Sequence, residues 1–174
     1  MRKALAMVVA GVVLVVGCGG DVKGTALAGE RWDPCSIPDE AIEATGLDPT
    51  YRDVGWGEGI VVDDWARCVF RAPKDRQSYS LSVMSSSEHT VSDARGDERK
   101  LNQVDFELAD RDALQYETDT SRAVVDCHVV VAVPTGVVWF IVMFAGGIKP
   151  ERDPCDLVRD HAADLEHLLP PLSR

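Results

Sequence analysis

Five cysteines are the side chains with the clearest chemistry in this sequence: Cys18, Cys35, Cys68, Cys127 and Cys155. None of them stands in a CxxC pair or in a Cys/His spacing suited to zinc. Cysteines that are neither metal ligands nor redox pairs form structural disulfides when a chain reaches an oxidising compartment. The sequence therefore has to indicate which compartment the chain reaches and how its sulfurs are used.

The N-terminal segment predicts export. Arg2 and Lys3 precede a run of thirteen apolar or glycine residues, 4–16. A basic start followed by such a run is typical of a signal peptide, and the run is shorter than the roughly 20 residues of a membrane-spanning helix. Val15-Val16-Gly17-Cys18 then matches the pattern of the bacterial lipobox, which predicts cleavage before Cys18 and acylation of its sulfur.

This interpretation divides the chain into three parts. Residues 1–17 are the signal peptide, residues 18–31 are the lipidated cysteine and a flexible tether, and residues 32–174 form a single domain. Two or more acyl chains hold a protein on a bilayer effectively permanently. We therefore expect a lipid-anchored protein on the extracytoplasmic face of the cell membrane, with no cofactor other than the covalent diacylglyceryl and acyl lipid on Cys18.

The charge of the chain excludes some partners. The formal charge is −11, and loss of Arg2 and Lys3 with the signal peptide leaves 16 basic and 29 acidic side chains, or −13. Binding to phosphates depends on Lys and Arg that displace counterions. The sequence therefore argues against nucleic acid as a partner and leaves the lipid anchor as the contact with the membrane.

The four remaining cysteines predict two disulfides. Spacing alone permits three pairings. We favour Cys35 with Cys68 and Cys127 with Cys155, each of which closes a loop of about thirty residues and contributes on the order of 3 to 4 kcal/mol. Asp-Pro-Cys occurs at 33–35, where it predicts a capped turn before the Pro38 helix, and again at 153–155, where it predicts the start of the last helix.

Hydrophobic patterning predicts an α+β domain. Five segments read as strands, a helix follows Pro38, and a longer helix is capped by Asp153 and ends at Pro170-Pro171. A further surface helix is predicted within 89–99. The predicted fold is an antiparallel sheet of about five strands with the N- and C-terminal helices packed on it, in a sandwich of PsbP or Mog1 type. The five predicted strands are 65–70, 78–83, 113–117, 124–133 and 137–145.

These features together resemble a known family. The segments that carry the resemblance are Asp33-Pro34-Cys35-Ser36, the Pro38-led helix ending at Gly46-Leu47, the Cys68 and Cys127 strands, and Asp153-Pro154-Cys155 with a helix ending at Leu168-Leu169-Pro170. They are similar to the actinobacterial lipoproteins grouped as domain of unknown function 3558, over nearly the whole mature chain. The resemblance implies an exported, lipid-tethered domain, and it carries over no activity and no site residue.

Candidate catalytic residues are few. Asp126 and His128 project from one face of a predicted strand, where the carboxylate could orient the imidazole for acid–base work. The alternative is an ordinary ion pair on a wet sheet face. Ser85-Ser86-Ser87 beside His89 lacks the turn of a nucleophilic serine, and His161 with Asp164 is expected to be solvent-exposed. No metal site is predicted, because no third ligand accompanies either histidine.

Trp56 is the candidate binding residue, because it lies in a glycine-rich loop and large aromatic side chains are favoured in recognition surfaces. The sequence accordingly favours a non-enzymatic cell-envelope lipoprotein that binds a protein partner or an apolar ligand. Two alternatives remain open: an envelope hydrolase with a site near Asp126 and His128, and an acidic inhibitor or immunity-like protein that masks a basic partner.

Overall fold

A computed structural model describes residues 31–119, 121 and 123–172. The predicted signal peptide, Cys18 and the tether as far as residue 30 lie outside the described residues.

Seven strands form one antiparallel sheet in the order β1-β2-β3-β7-β6-β5-β4. A hairpin of β2 and β3 is joined through a crossover to a four-strand meander of β4 to β7, and β7 returns to pair with β3. The strands are β1 (Asp53–Val54), β2 (Ala66–Arg71), β3 (Ser80–Ser86), β4 (Lys100–Leu108), β5 (Arg111–Thr118), β6 (Val125–Val133) and β7 (Gly136–Phe144).

The α+β class and the antiparallel sheet are confirmed, and the sheet has two strands more than the sequence predicted. The additional strands are β1 and β4, one at each edge. β1 has only two residues, too few for a periodic pattern, and β4 is mostly solvent-exposed, with apolar alternation confined to its second half at Val104, Phe106 and Leu108. Edge strands need only one hydrogen-bonded neighbour, and pairing with β2 or β5 holds each of them despite its weak pattern.

Three α-helices accompany the sheet in the described ranges: α1 (Asp39–Ala44), α2 (Val91–Arg95) and α3 (Pro154–Leu165), with 3-10 turns at Pro34–Ser36 and Glu166–Leu168. The surface helix predicted within 89–99 is confined to α2, which starts with a reciprocal capping pair of Thr90 and Asp93. α1 ends before Gly46, whose φ of 80° is the left-handed stop expected there.

The two sides of the sheet differ. On the first, called here the helix face, α1 and α3 cover the inward side chains of the central strands, and Ile42, Phe140 and Val158 meet in the main core without solvent exposure. The opposite side, called here the aromatic face, has a smaller core beneath α2 that includes Tyr116 and Val130. The sheet therefore buries one face fully and the other only in part.

β7 is the central strand, as its uninterrupted apolar sequence predicted. The further expectation that both of its sides are covered is only half right. Its helix-face residues, including Phe140 and Phe144, are buried, whereas Trp139, Ile141 and Met143 on the aromatic face are partly exposed. The reason is that α2, with five residues, is too short to cover more than the end of that face.

Candidate functional site

Both predicted disulfides are present. Cys35 bonds to Cys68 on β2 and Cys127 on β6 bonds to Cys155, with Cα atoms 5.2 and 5.0 Å apart. The bridges therefore fasten the segment before α1 and the first turn of α3 to the helix face. Cys18, the predicted lipidation site, lies outside the described residues and stays a prediction.

Asp126 and His128 form a buried pair rather than a wet one. Each residue is 8% exposed, and Asp126 Oδ1 lies 3.3 Å from His128 Nε2. Thr118 donates to the same carboxylate through its backbone N–H and its hydroxyl, at 2.9 and 2.6 Å. Burial raises the pKa of Asp126, but the hydrogen bonds from His128 and Thr118 outweigh burial and hold this pKa below its ordinary value. The carboxylate is therefore ionised at pH 7.

The imidazole of His128 is enclosed by aromatic rings. Trp139 Nε1 donates to His128 Nδ1 at 3.1 Å, which leaves the proton of a neutral imidazole on Nε2, toward Asp126. The ring of Tyr116 stacks on the imidazole with centroids 4.7 Å apart. A general base must come within hydrogen-bond reach of its substrate. In this arrangement Nδ1 accepts from Trp139, and the buried Nε2 faces Asp126 at 3.3 Å.

The serine run ending β3 likewise serves structure. Ser85 donates through its hydroxyl to the carbonyl of Trp32, and the Ser86 hydroxyl accepts from the N–H of Glu88. His89 is directed to a different partner: its Nε2 lies 2.9 Å from Asp64 Oδ2, and its ring stacks on Trp65. These residues therefore do not assemble the nucleophile and base of a hydrolase.

The glycine-rich segment 53–63, called here the glycine loop, carries the most exposed large apolar side chains of the described chain. Val54, Ile60 and Val61 are 67%, 58% and 80% exposed. Trp56 is only partly exposed, since its indole lies over the Arg67 guanidinium, 5.4 Å from ring centroid to Cζ. Arg67 also donates to the Gly55 carbonyl at 2.6 Å. Trp56 thus fastens the loop to the sheet, and its aliphatic neighbours face solvent.

A concavity of about 540 Å³ lies elsewhere, beside α3. We call it the His161 cleft. Contrary to the expectation of an exposed pair on α3, His161 is only 3% exposed, and its Nε2 lies 2.9 Å from the Tyr79 hydroxyl. Burial lowers the pKa of His161 to about 4, so the imidazole is neutral at pH 7. Burial also raises the pKa of Tyr79.

The sequence reasoning missed the Tyr79–His161 pair because the two residues are 82 positions apart. One signal was present. Val158, Ala162 and Leu165 mark the apolar side of α3, and His161 falls within that stripe at helical spacing. A histidine placed among core positions is a candidate for burial with a hydrogen-bond partner, and Tyr79 fills that role.

In residues 31–119, 121 and 123–172, no group of three or more His, Cys, Asp or Glu side chains is arranged to hold a metal ion. Within the same ranges, no helix combines the length and the apolar character needed to cross a bilayer.

Comparison with known proteins identifies the family. The profile described as protein of unknown function (DUF3558) matches residues 13–167. The chain belongs to this family. The match extends over every strand and all three helices described above, so the DUF3558 assignment applies to the whole domain. Neither the curated proteins nor the solved structures contain a significant match to this DUF3558 chain.

Proposed function

We propose that this DUF3558 protein is an exported lipoprotein, anchored by acyl chains on Cys18 to the extracytoplasmic face of the membrane, with a non-enzymatic domain that binds a protein partner. The proposal also places it among the actinobacterial lipoproteins that its sequence resembles. The observation that carries the binding function is the apolar surface of the glycine loop. The lipid anchor is supported by the signal-peptide pattern and the Val15-Val16-Gly17-Cys18 motif.

Cysteine use supports the anchor. Cys35, Cys68, Cys127 and Cys155 bond with one another, so the domain leaves no thiol that requires Cys18 as a partner. The sulfur of Cys18 is thereby available for acyl transfer.

The path of the chain supports a position of the glycine loop near the proposed anchor. Arg31 Nη1 donates to the backbone carbonyl of Asp63 at 2.6 Å, so the chain enters the domain beside the loop. Twelve residues, 19–30, separate Arg31 from Cys18. A segment of that length spans at most about 40 Å when fully extended. The glycine loop is therefore within reach of other proteins at the membrane surface.

The loop has the properties of a contact surface. Val54, Ile60 and Val61 would each gain on the order of 1 to 2 kcal/mol from complete burial, and the loop is already ordered by the contacts of Trp56 and Arg67. An ordered loop loses less conformational entropy on binding than a mobile one. Side chains this exposed do not enclose an apolar ligand, which favours a protein partner over such a ligand.

Charge defines the kind of partner. Exposed Asp53, Glu58 and Asp63 flank the apolar side chains, in a chain with a formal charge of −11. Acidic groups are repelled by anionic lipid headgroups and attract Lys and Arg. We infer a partner with an apolar patch bordered by basic residues. The partner could also be an enzyme or toxin that this surface inhibits, since such a protein can carry the same apolar patch bordered by basic residues. Loss of the partner's activity in the complex would identify this alternative.

Site-specific photocrosslinking tests the partner in intact envelopes of cells that make this protein. A photoreactive phenylalanine analogue is placed at Val61, and at Val104 in β4 as the control, because Val104 is also exposed, at 44%, but lies outside the loop. We expect one protein to be crosslinked from position 61 and not from 104. Identical products from both positions, or lipid alone from position 61, would refute the docking role.

Affinity measurements with the purified partner complete this test. Ile60→Ser together with Val61→Ser should weaken binding at least tenfold, whereas Val104→Ser should leave it unchanged. Binding should also weaken as salt rises, because the acidic border contributes by electrostatic attraction. Equal affinity of both variants would contradict the proposal.

The anchor is tested separately by the mass of the mature protein purified from membranes. We expect the protein to begin at an acylated Cys18, and Cys18→Ala to release the domain from the membrane fraction. An unacylated mature N-terminus would overturn the lipoprotein assignment without bearing on the loop.

A further inference from the structure

The His161 cleft is separate from the glycine loop and has the construction of a small-molecule site. Four segments converge on it: the C-terminal end of α1, the turn between β2 and β3, the segment that follows β7, and α3. Its volume of about 540 Å³ lies within the range of ordinary ligand sites.

Gln77 holds two of the cleft walls together. Its side-chain amide donates to the carbonyl of Lys149 at 2.8 Å, and its side-chain oxygen accepts from the N–H of Glu151 at 2.7 Å. Gln77 stands in the β2–β3 turn, whereas Lys149 and Glu151 follow β7. The opening between these two segments is therefore bridged by specific hydrogen bonds, and the cleft exists before a ligand arrives.

The floor of the cleft is aromatic and apolar. The rings of Tyr79 and Phe144 lie 5.4 Å apart between centroids, and Leu157 on α3 lies alongside. Phe144 and Leu157 are 1% and 7% exposed, so the floor is rigid core rather than loop. Such a floor accommodates the apolar body of a ligand, and aromatic rings also attract a cation placed over them.

The rim is predominantly negative. Its carboxylates are Asp75, Glu151, Asp160 and Asp164, and its cations are Arg76 and Arg152. Arg152 is already paired with Asp160 at 2.7 Å. Among the described residues, the remaining three carboxylates and Arg76 form no ion pair with one another or with other groups. The rim therefore offers a net charge of about −2 to a ligand.

A buried hydrogen-bonding pair adds an independent observation. His161 is 97% buried in the cleft lining, and its Nδ1 has no hydrogen-bond partner in the part of the chain that the structure describes. Its Nε2 is joined to the Tyr79 hydroxyl, which can act as donor or acceptor depending on the tautomer. In either tautomer the hydroxyl of Tyr79 keeps a second hydrogen-bonding position for a polar atom in the cleft.

We propose that the His161 cleft binds a small organic cation, an amine whose ammonium group lies among Asp75, Glu151 and Asp164 and whose apolar body packs on Tyr79 and Phe144. An anion is disfavoured by the carboxylates, and a purely apolar ligand would leave them without a counter-charge. The site would let the tethered domain bind a small molecule independently of a protein at the glycine loop.

Three probes of similar size and different charge test this inference on the purified mature protein: phenethylammonium, 2-phenylethanol and 3-phenylpropanoate. Binding is followed by NMR shifts of the Tyr79 and His161 side chains and by calorimetry. We expect the ammonium probe to shift both signals and to bind at least tenfold more tightly than the other two. Equal binding of the alcohol or the anion would overturn the charge assignment, and absence of shifts at Tyr79 and His161 would overturn the site.

Variants locate the ammonium group. Asp75→Asn with Asp164→Asn should weaken binding of phenethylammonium at least tenfold. Glu107→Gln, which removes a carboxylate from β4 outside the cleft, should leave binding unchanged. Circular dichroism checks that each variant is folded. Unchanged affinity in the double variant would refute the proposal. Retained loop crosslinking in the double variant would separate this result from the proposed partner function.

Discussion

The two Asp-Pro-Cys segments begin alike and end differently. In both, the aspartate accepts from the N–H of the cysteine, at 2.9 Å for Asp33 and 2.7 Å for Asp153, and proline occupies the first helical position. In both, the cysteine is bonded to a buried strand. Yet the first segment is a 3-10 turn of three residues, and the second opens α3, which has twelve.

The residues that follow explain the difference. Pro38 lacks an N–H and disfavours helical backbone at Ile37, whose ψ of 125° is extended, so the first segment stops. After Cys155 no proline intervenes, and Leu157, Val158 and later apolar residues continue at helical spacing. Capping thus determines where a helix begins, and the downstream sequence determines how far it extends.

The consequence is that the N-terminal segment depends on other side chains. Arg52 donates to the carbonyls of Cys35 and Ile37 and to the carboxylate of Asp39, satisfying backbone groups that a continuing helix would have satisfied itself. α3 is held by its own backbone and by burial of five side chains, including His161. Three experiments address this contrast, in order of decreasing effect.

Removal of the disulfides should show the contrast most strongly. Cys35→Ala with Cys68→Ala, and separately Cys127→Ala with Cys155→Ala, should each lower the free energy of unfolding in urea by about 3 to 4 kcal/mol, because the closed loops are of similar length. Hydrogen exchange should then distinguish them. Amides of 35–44 should lose protection in the first variant, while α3 should keep it in the second. If α3 loses protection in the second variant as fully as 35–44 does in the first, the two segments do not differ in their dependence on the disulfide.

Acidification should destabilise the domain through the buried His161 of α3. Because burial favours neutral His161 in the folded state, the unfolded chain binds more protons between the folded pKa of about 4 and the ordinary 6.5. Stability from this group is therefore complete above pH 6.5 and is lost as pH falls through that range, by about 2 to 3 kcal/mol near pH 4.5.

The comparison of wild type with His161→Gln isolates this effect from other titrating groups. The charged groups nearest His161 are Asp160 and Arg152, and Tyr79 is its hydrogen-bond partner. Urea unfolding at pH 7 and pH 4.5 should show a smaller pH-dependent loss in the variant. The same loss in both proteins would mean that His161 does not titrate as proposed.

Arginine substitutions should have the smallest effect, and the loss of stability should be larger at the N-terminal segment than near α3. Arg52→Ala should cost about 1 to 3 kcal/mol, because partly buried carbonyls lose a charged donor. Arg152→Ala is the matched control near α3, where the Arg152–Asp160 pair is more than half exposed and contributes about 0 to 1 kcal/mol. Urea midpoints measure both. Similar losses would show that the first segment does not need Arg52.

Much of the domain was predictable because its signals are local. The alternation in β6, the apolar run of β7, and the cap and apolar stripe of α3 each lie within a dozen consecutive residues. β4 was missed because only its second half, 104–108, alternates apolar with polar residues, whereas its first half is polar and its pairing with β5 shifts register between Leu101 and Val104. The candidate sites were less predictable, since His128 is enclosed by the rings of Tyr116 and Trp139, which come from other strands.

The sequence by itself determined the α+β class, the two helix starts and the number of disulfides, because capping, periodicity and cysteine count are properties of neighbouring residues or of composition. Only the tertiary structure decided which side of the sheet is left partly open, that Trp56 is fastened while Ile60 and Val61 are exposed, and that Tyr79 meets His161. Those features depend on how distant segments pack, and burial is a property of the packed chain rather than of any one segment.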